Sequence, residues 1–218
     1  MDSNKMKQNF KGLYLVLDPS MEKNELINKL KSALEGGINI VQIWNNWPAG
    51  FTSKDKVETV NSILAVTHTF NVPVLINEEY ELLASTQLEG VHFDRIPENF
   101  IEIKSSLNRQ LIIGITCGND LETIEWANEN AIDYLSFCSI FPSKSAGDCE
   151  IVEKETLKKA KAITSIPFFV SGGITTENLG ELSEFGIAGA AVISGILSAE
   201  SPKEKSQEYN QVLNKIIK

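Results

Sequence analysis

The sequence predicts an α/β fold, a single closed (β/α)8 barrel of the TIM type, and three observations carry that expectation. Apolar strand-like runs alternate strictly with helix-like stretches, the alternation recurs eight times, and no Ser/Gly/Pro-rich linker or charge block divides the 218 residues. Strict alternation implies right-handed crossovers and parallel strands, and eight such units fit a closed barrel better than the runner-up, an open doubly wound sheet. Residues 1–218 therefore read as one domain, with 1–11 as a polar N-terminal extension.

Each element has its own reason. Gly12 to Leu17 is a near-continuous apolar run stopped by Asp18-Pro19, as suits a strand buried on both faces. Leu26, Ile27, Leu30, Ala33 and Leu34 recur at helical spacing before Gly36-Gly37 ends that helix. The second strand spans Ile38 to Trp44 and its helix spans about Lys54 to Phe70, with Val57, Val60, Ile63, Leu64 and Val66 on one face. Strand three is Pro73 to Ile76, followed by a short helix after Tyr80, and strand four is Gly90 to Phe93. The fourth helix is the weak point, because Arg95-Ile96-Pro97-Glu98 leaves little periodicity before Leu107.

Strand five is Leu111 to Ile115, with helix Asp120 to Asn130 behind a capping-box-like Asn119-x-x-Glu122. Strand Tyr134 to Ile140, helix Glu153 to Ile163 and strand Pro167 to Val170 follow. Helix Thr176 to Phe185, strand Ala188 to Ile193 and a C-terminal helix complete the series.

Composition narrows the function classes. A formal charge of −9 disfavours nucleic acid and anionic membrane as partners, so any phosphate site must be local. No apolar run approaches the roughly 20 residues that a membrane span needs, and the polar start lacks the apolar core of a signal peptide, so the chain reads as cytoplasmic. Cys117, Cys138 and Cys149 are odd in number and lack metal-ligand spacing, which indicates neither a disulfide framework nor a zinc site.

In a barrel, chemistry sits at the C-terminal ends of the strands, and phosphate is often held by the loops after strands seven and eight. Those loops are Ser171-Gly172-Gly173 and Ser194-Gly195. Glycines let a ligand approach the backbone, and a helix start supplies unpaired N–H groups, although glycine pairs also simply permit tight turns. The other strand ends carry Asp18, Gln42 with Trp44, Asn77 with Glu78, Asp94 with Arg95, Thr116 with Cys117, and Ser139 leading to Ser143-Lys144-Ser145. His92 lies inside a strand and reads as a hydrogen-bonded packing residue, and His68 as a surface one.

The ordered series Gly12-Leu13-Tyr14-Leu15-Val16, Val41-Gln42, Val74-Leu75-Ile76-Asn77, Gly90-Val91-His92, Ile113-Gly114-Ile115-Thr116, Ile140-Phe141-Pro142, Ser171-Gly172-Gly173-Ile174 and Val192-Ile193-Ser194 resembles the thiamine phosphate synthase and thiazole tautomerase superfamily along essentially the whole chain. That resemblance implies a small phosphorylated heterocycle as ligand, magnesium as cofactor, a transferase reaction that expels pyrophosphate, and a homodimer. It places the thiazole phosphate on Gly172, Ile193 and Ser194, in agreement with the loops after strands seven and eight, which add Gly173 and Gly195, and the substrate-binding candidates at the mouth are Gln42, Trp44, Asn77, Thr116, Ser143 and Ser145. Glu78 and Asp94 would hold the metal, and Ser143 and Lys144 are the catalytic candidates.

The sequence also departs from the family. The family's Gln-x-Arg-x-Lys is Gln42-Ile43-Trp44-Asn45-Asn46 here, Asn-Asp is Asn77-Glu78, and Thr-x-Thr-Lys is Ser143-Lys144-Ser145-Ala146. The tautomerase histidine of the strand-six segment is replaced by Ser139. Lys144 and Arg95 are the cations available to substitute, Trp44 is positioned either to stack on a planar ring or to pack under its loop, and a non-catalytic binding or regulatory homologue is the competing expectation.

Overall fold

A computed structural model describes residues 10–106, 109–142 and 150–217. Eight parallel strands close into a barrel in sequence order. They are β1 (Gly12–Leu17), β2 (Ile40–Ile43), β3 (Val74–Asn77), β4 (Gly90–Phe93), β5 (Ile112–Thr116), β6 (Tyr134–Phe137), β7 (Phe168–Ser171) and β8 (Gly189–Val192). The pairing of β1 with β8, Gly12 opposite Gly189 through Leu15 opposite Val192, excludes the open sheet.

Alternation along each strand divides the core in two. Leu13, Leu15 and Leu17 point outward into the annulus beneath the helices, while Tyr14 and Val16 join Phe10, Ile40, Leu75, Ile112, Tyr134, Phe169 and Ala191 in a separate cluster inside the barrel. Phe10 lies in the stretch expected to be an extension, yet its ring centroid is 4.8 Å from that of Tyr134 and 5.5 Å from that of Phe169. It forms part of the barrel floor.

The outer helices are α1 (Lys23–Glu35), α2 (Ser53–Thr67), α3 (Phe100–Ser106), α4 (Leu121–Glu129), α5 (Lys154–Ile163), α6 (Ser194–Leu197) and α7 (Pro202–Ile216). α1 starts where the Glu22 carboxylate accepts from the N–H groups of Asn24 and Glu25, and it buries Leu26, Leu30, Ala33 and Leu34 at helical spacing. α2 starts with a reciprocal capping box between Thr52 and Asp55. α7 carries Pro202 in its first turn and the Ser201 cap before it, and buries Tyr209 and Leu213.

Three local expectations are corrected. α4 is capped by Asp120, whose side chain accepts from the Glu122 N–H; Asn119 instead accepts from the Glu153 N–H at the start of α5, 34 residues on. The stretch Thr176–Phe185 forms no α-helix, only a 3-10 turn over Leu179–Leu182. The segment after Tyr80 is likewise 3-10, over Tyr80–Ala84. Among the described residues no helix is long and apolar enough to cross a membrane.

Candidate functional site

Inward-facing positions at the C-terminal ends of the strands open into a cavity of about 820 Å³. Gln42 and Trp44 enter it from β2, Asn77 from β3, His92 and Asp94 from β4, Thr116 from β5, and Ser136 and Cys138 from β6. Ser171, Gly172 and Gly173 after β7 and Ile193, Ser194 and Gly195 after β8 complete the wall, with Tyr209 reaching in from α7. The expected phosphate residues and the described substrate residues therefore share one space. Ser143, Lys144 and Ser145 lie outside the described residues.

Beneath the cavity runs a hydrogen-bonded chain of side chains. The Tyr14 hydroxyl donates to Gln42 Oε1 at 2.5 Å and lies 2.9 Å from the Tyr134 hydroxyl. Tyr134 is 2.9 Å from His92 Nδ1, and His92 Nε2 is 2.9 Å from Thr116 Oγ1. Burial pushes both phenol pKa values up, and it lowers that of His92 to about 4 against a smaller opposing pull from Asp94. His92 is thus a packing residue as expected, and it also lines the cavity. Strand parity marks Tyr14 and Tyr134 as inward positions, two residues from Val16 and Ser136; Tyr209 carries no such mark, because it arrives from a distant helix.

The turn after β7 is shaped by what presses on it. Gly172 has φ +84, and a Cβ there would come within 2.5 Å of the Ser139 backbone nitrogen; at Gly173 (φ +65) a Cβ would meet Phe141 O at 2.7 Å. The Ile140 N–H donates to Ser171 O and the Phe141 N–H to Gly172 O, both at 3.0 Å, so the loops after β6 and β7 are fastened together. The Thr175 N–H is committed to Asn178 Oδ1 at 2.8 Å. No α-helix stands behind this turn, only the 3-10 turn over Leu179–Leu182.

Ser139 stands out within this arrangement. Its φ is +61, its side chain is buried, and its Oγ is the only such polar atom among the described residues without a hydrogen-bond partner. Left-handed backbone in a non-glycine residue costs about 1–3 kcal/mol and tends to occur at ligand sites.

On the β2 side the two tryptophans part company. Trp44 lines the cavity, whereas Trp47 donates from Nε1 to Glu79 at 3.0 Å, stacks on Phe51 and lies under the Lys56 ammonium. Asn46, at the second basic position of the family pattern, donates to Asp18 at 3.0 Å. Arg95 is exposed and does not line the cavity. Among the described lining residues there is no lysine or arginine.

The two acids do not fit a magnesium site by themselves. Glu78 Oε1 accepts from the Asp94 backbone N–H at 2.5 Å, and Asp94 Oδ1 accepts from the Asn77 amide at 3.0 Å. Glu78 does not face the cavity, and no group of three or more His, Cys, Asp or Glu suited to a metal exists among the described residues. Burial raises the pKa of Glu78, with a further rise from the Asp94 charge. Thiol chemistry at Cys117 is disfavoured, because burial pushes its pKa to about 12.

Comparison with known proteins adds a consistent picture. Residues 13–196 match the family described as Thiamine monophosphate synthase. The chain is 30% identical over 204 residues to the thiamine-phosphate synthase of Clostridium acetobutylicum, covering 93% of this chain and 95% of that one. It is 32% identical over 205 residues to that of Clostridium tetani, with the same coverage. Among solved structures, thiamine phosphate pyrophosphorylase from Pyrococcus furiosus superposes with a TM-score of 0.80 at 22% identity, covering 97% of this chain and 99% of that one. At that identity the likeness speaks for the fold.

Proposed function

The chain belongs to the thiamine monophosphate synthase family, and from that premise we propose that it binds a phosphorylated thiazole or thiamine phosphate, with the synthase reaction itself weakened. The phosphate lies against Gly172, Gly173, Ile193, Ser194 and Gly195, and the ring system extends toward Gln42, Trp44, Asn77 and Thr116. The carrying observation is the asymmetry of the cavity: its β7/β8 side keeps the small residues and backbone turns that admit a phosphate, while its described lining holds no cation.

In the synthase reaction a pyrimidine methylene leaves its diphosphate and bonds to the thiazole nitrogen, and negative charge builds on the departing pyrophosphate. Cationic donors stabilise that charge as it forms. At the two family positions on β2 this chain has Trp44 and Asn46. Charge-assisted hydrogen bonds contribute about 1.5–3 kcal/mol each, so the loss of two slows the transfer by about a hundredfold or more. Members of the family are generally magnesium-dependent, and a bound ion would supply charge neutralisation at the diphosphate. Here Asp94 offers one carboxylate to the cavity while Glu78 is engaged by the Asp94 backbone N–H in the neighbouring loop after β4, so neither residue is assigned to a metal.

Calorimetry with thiazole phosphate, thiamine phosphate and pyrophosphate tests this reading, together with an assay for thiamine phosphate formed from pyrimidine diphosphate, thiazole phosphate and magnesium. The expected outcome is binding of the first two ligands, little heat from pyrophosphate, and turnover far below that of a synthase with its basic residues in place. Equal affinity for all three would overturn the proposal, as would full synthase turnover.

A further inference from the structure

The chain of side chains under the cavity has a direction, and its protons can be counted. A phenol has one proton. Tyr14 gives its proton to Gln42 Oε1, so at the contact between the two tyrosines Tyr14 accepts and Tyr134 donates. Tyr134 then has no proton for His92, and the Nδ1–H of His92 donates to the Tyr134 oxygen. His92 is buried between two neutral hydroxyl groups and carries a single proton, because burial without a charged partner at either ring nitrogen disfavours the imidazolium. With that proton on Nδ1, Nε2 is a bare acceptor and Thr116 must donate to it.

Both ends of the chain face the cavity. Gln42, with Tyr14 donating to its oxygen, keeps both amide N–H groups to offer. Thr116, its proton occupied by His92, has only oxygen lone pairs. We propose that Thr116 is a specificity-determining acceptor that selects a hydrogen-bond donor, an exocyclic amine on a nitrogen heterocycle, and disfavours a carbonyl or phosphate oxygen at the same place. Tyr134 and His92 are positioning residues that act through Thr116. The choice of a heterocycle rests on the function proposed above, whereas the direction of the chain does not.

Two measurements on the full chain separate these parts. In the ligand-free protein, ¹⁵N NMR of the imidazoles, with His68→Gln for assignment, is expected to show His92 neutral with its proton on Nδ1; a proton on Nε2 reverses the whole chain and overturns the proposal. Calorimetry then compares thiamine phosphate with oxythiamine phosphate, in which a carbonyl replaces the amine. The wild type is expected to prefer the amine by about tenfold or more. Thr116→Val should bring the ratio toward one, and Thr116→Ser should restore it. Equal binding of the two ligands by the wild type, or preference for the carbonyl, defeats the assignment. If His92 carries its proton on Nδ1 but neither ligand binds, the ligand reading fails and the direction of the chain stands.

Discussion

Gly172 shows at one residue how a sequence signal and its physical cause diverge. In the sequence, the Gly172-Gly173 pair suggests room for an anion. In the structure, the first demand on Gly172 is the backbone of Ser139, 2.5 Å from where a Cβ would sit, together with a φ of +84. Gly172→Ala is therefore expected to cost about 1–3 kcal/mol in chemical denaturation, with an unchanged denaturant slope, even without ligand. A variant as stable as the wild type would show that the clamp between the two loops yields easily. Ser139 was legible only as an absence, the place where a tautomerase histidine would stand; its isolated hydroxyl and left-handed backbone, set against Gly172 of the next loop, carry no signal in the local sequence. The interior hydrogen-bond chain was hidden for the same reason, since Tyr14 and Tyr134 are 120 residues apart.

Among the elements, periodicity located every strand to within a few residues and misjudged one helix. Leu179, Leu182 and Phe185 are spaced by three, and that interval suits a 3-10 turn better than the 3.6-residue period of an α-helix. Glycines at 180 and 186 remove further support for a helix. The β2 segment is the element whose chemistry has changed most relative to the family. Trp47 is held by Glu79 and Lys56, while Trp44, for which the sequence leaves ring stacking and packing under its loop both open, lines the cavity wall. Restoring both cations with Trp44→Arg and Asn46→Lys is expected to raise pyrophosphate affinity by about tenfold or more, read by calorimetry at low and high salt. No gain at either salt concentration would mean that the anion does not pass this wall.

For the molecule as a whole, eight repeats of strand and helix were enough to indicate a barrel, but closure depended on the pairing of β1 with β8, two strands at opposite ends of the chain. Closure buries His92, and that sets an acid limit on stability. Its folded pKa of about 4 lies below the ordinary 6.5, so between those values the unfolded chain binds the proton that the folded chain refuses. Stability from this residue is complete above pH 6.5 and is lost as pH falls toward 4, on the order of 3 kcal/mol. A comparison of wild type with His92→Gln across that range should show the steeper slope in the wild type; parallel curves would remove His92 as the cause. The closed floor has a different consequence, one of traffic. With Phe10 packed against Tyr134 and Phe169, the described residues close the floor of the barrel, and the cavity opens at the C-terminal ends of the strands. Two ligands that occupy it one above the other must queue: the deeper one arrives first and departs last, and that order should be written into any steady-state kinetics the protein displays.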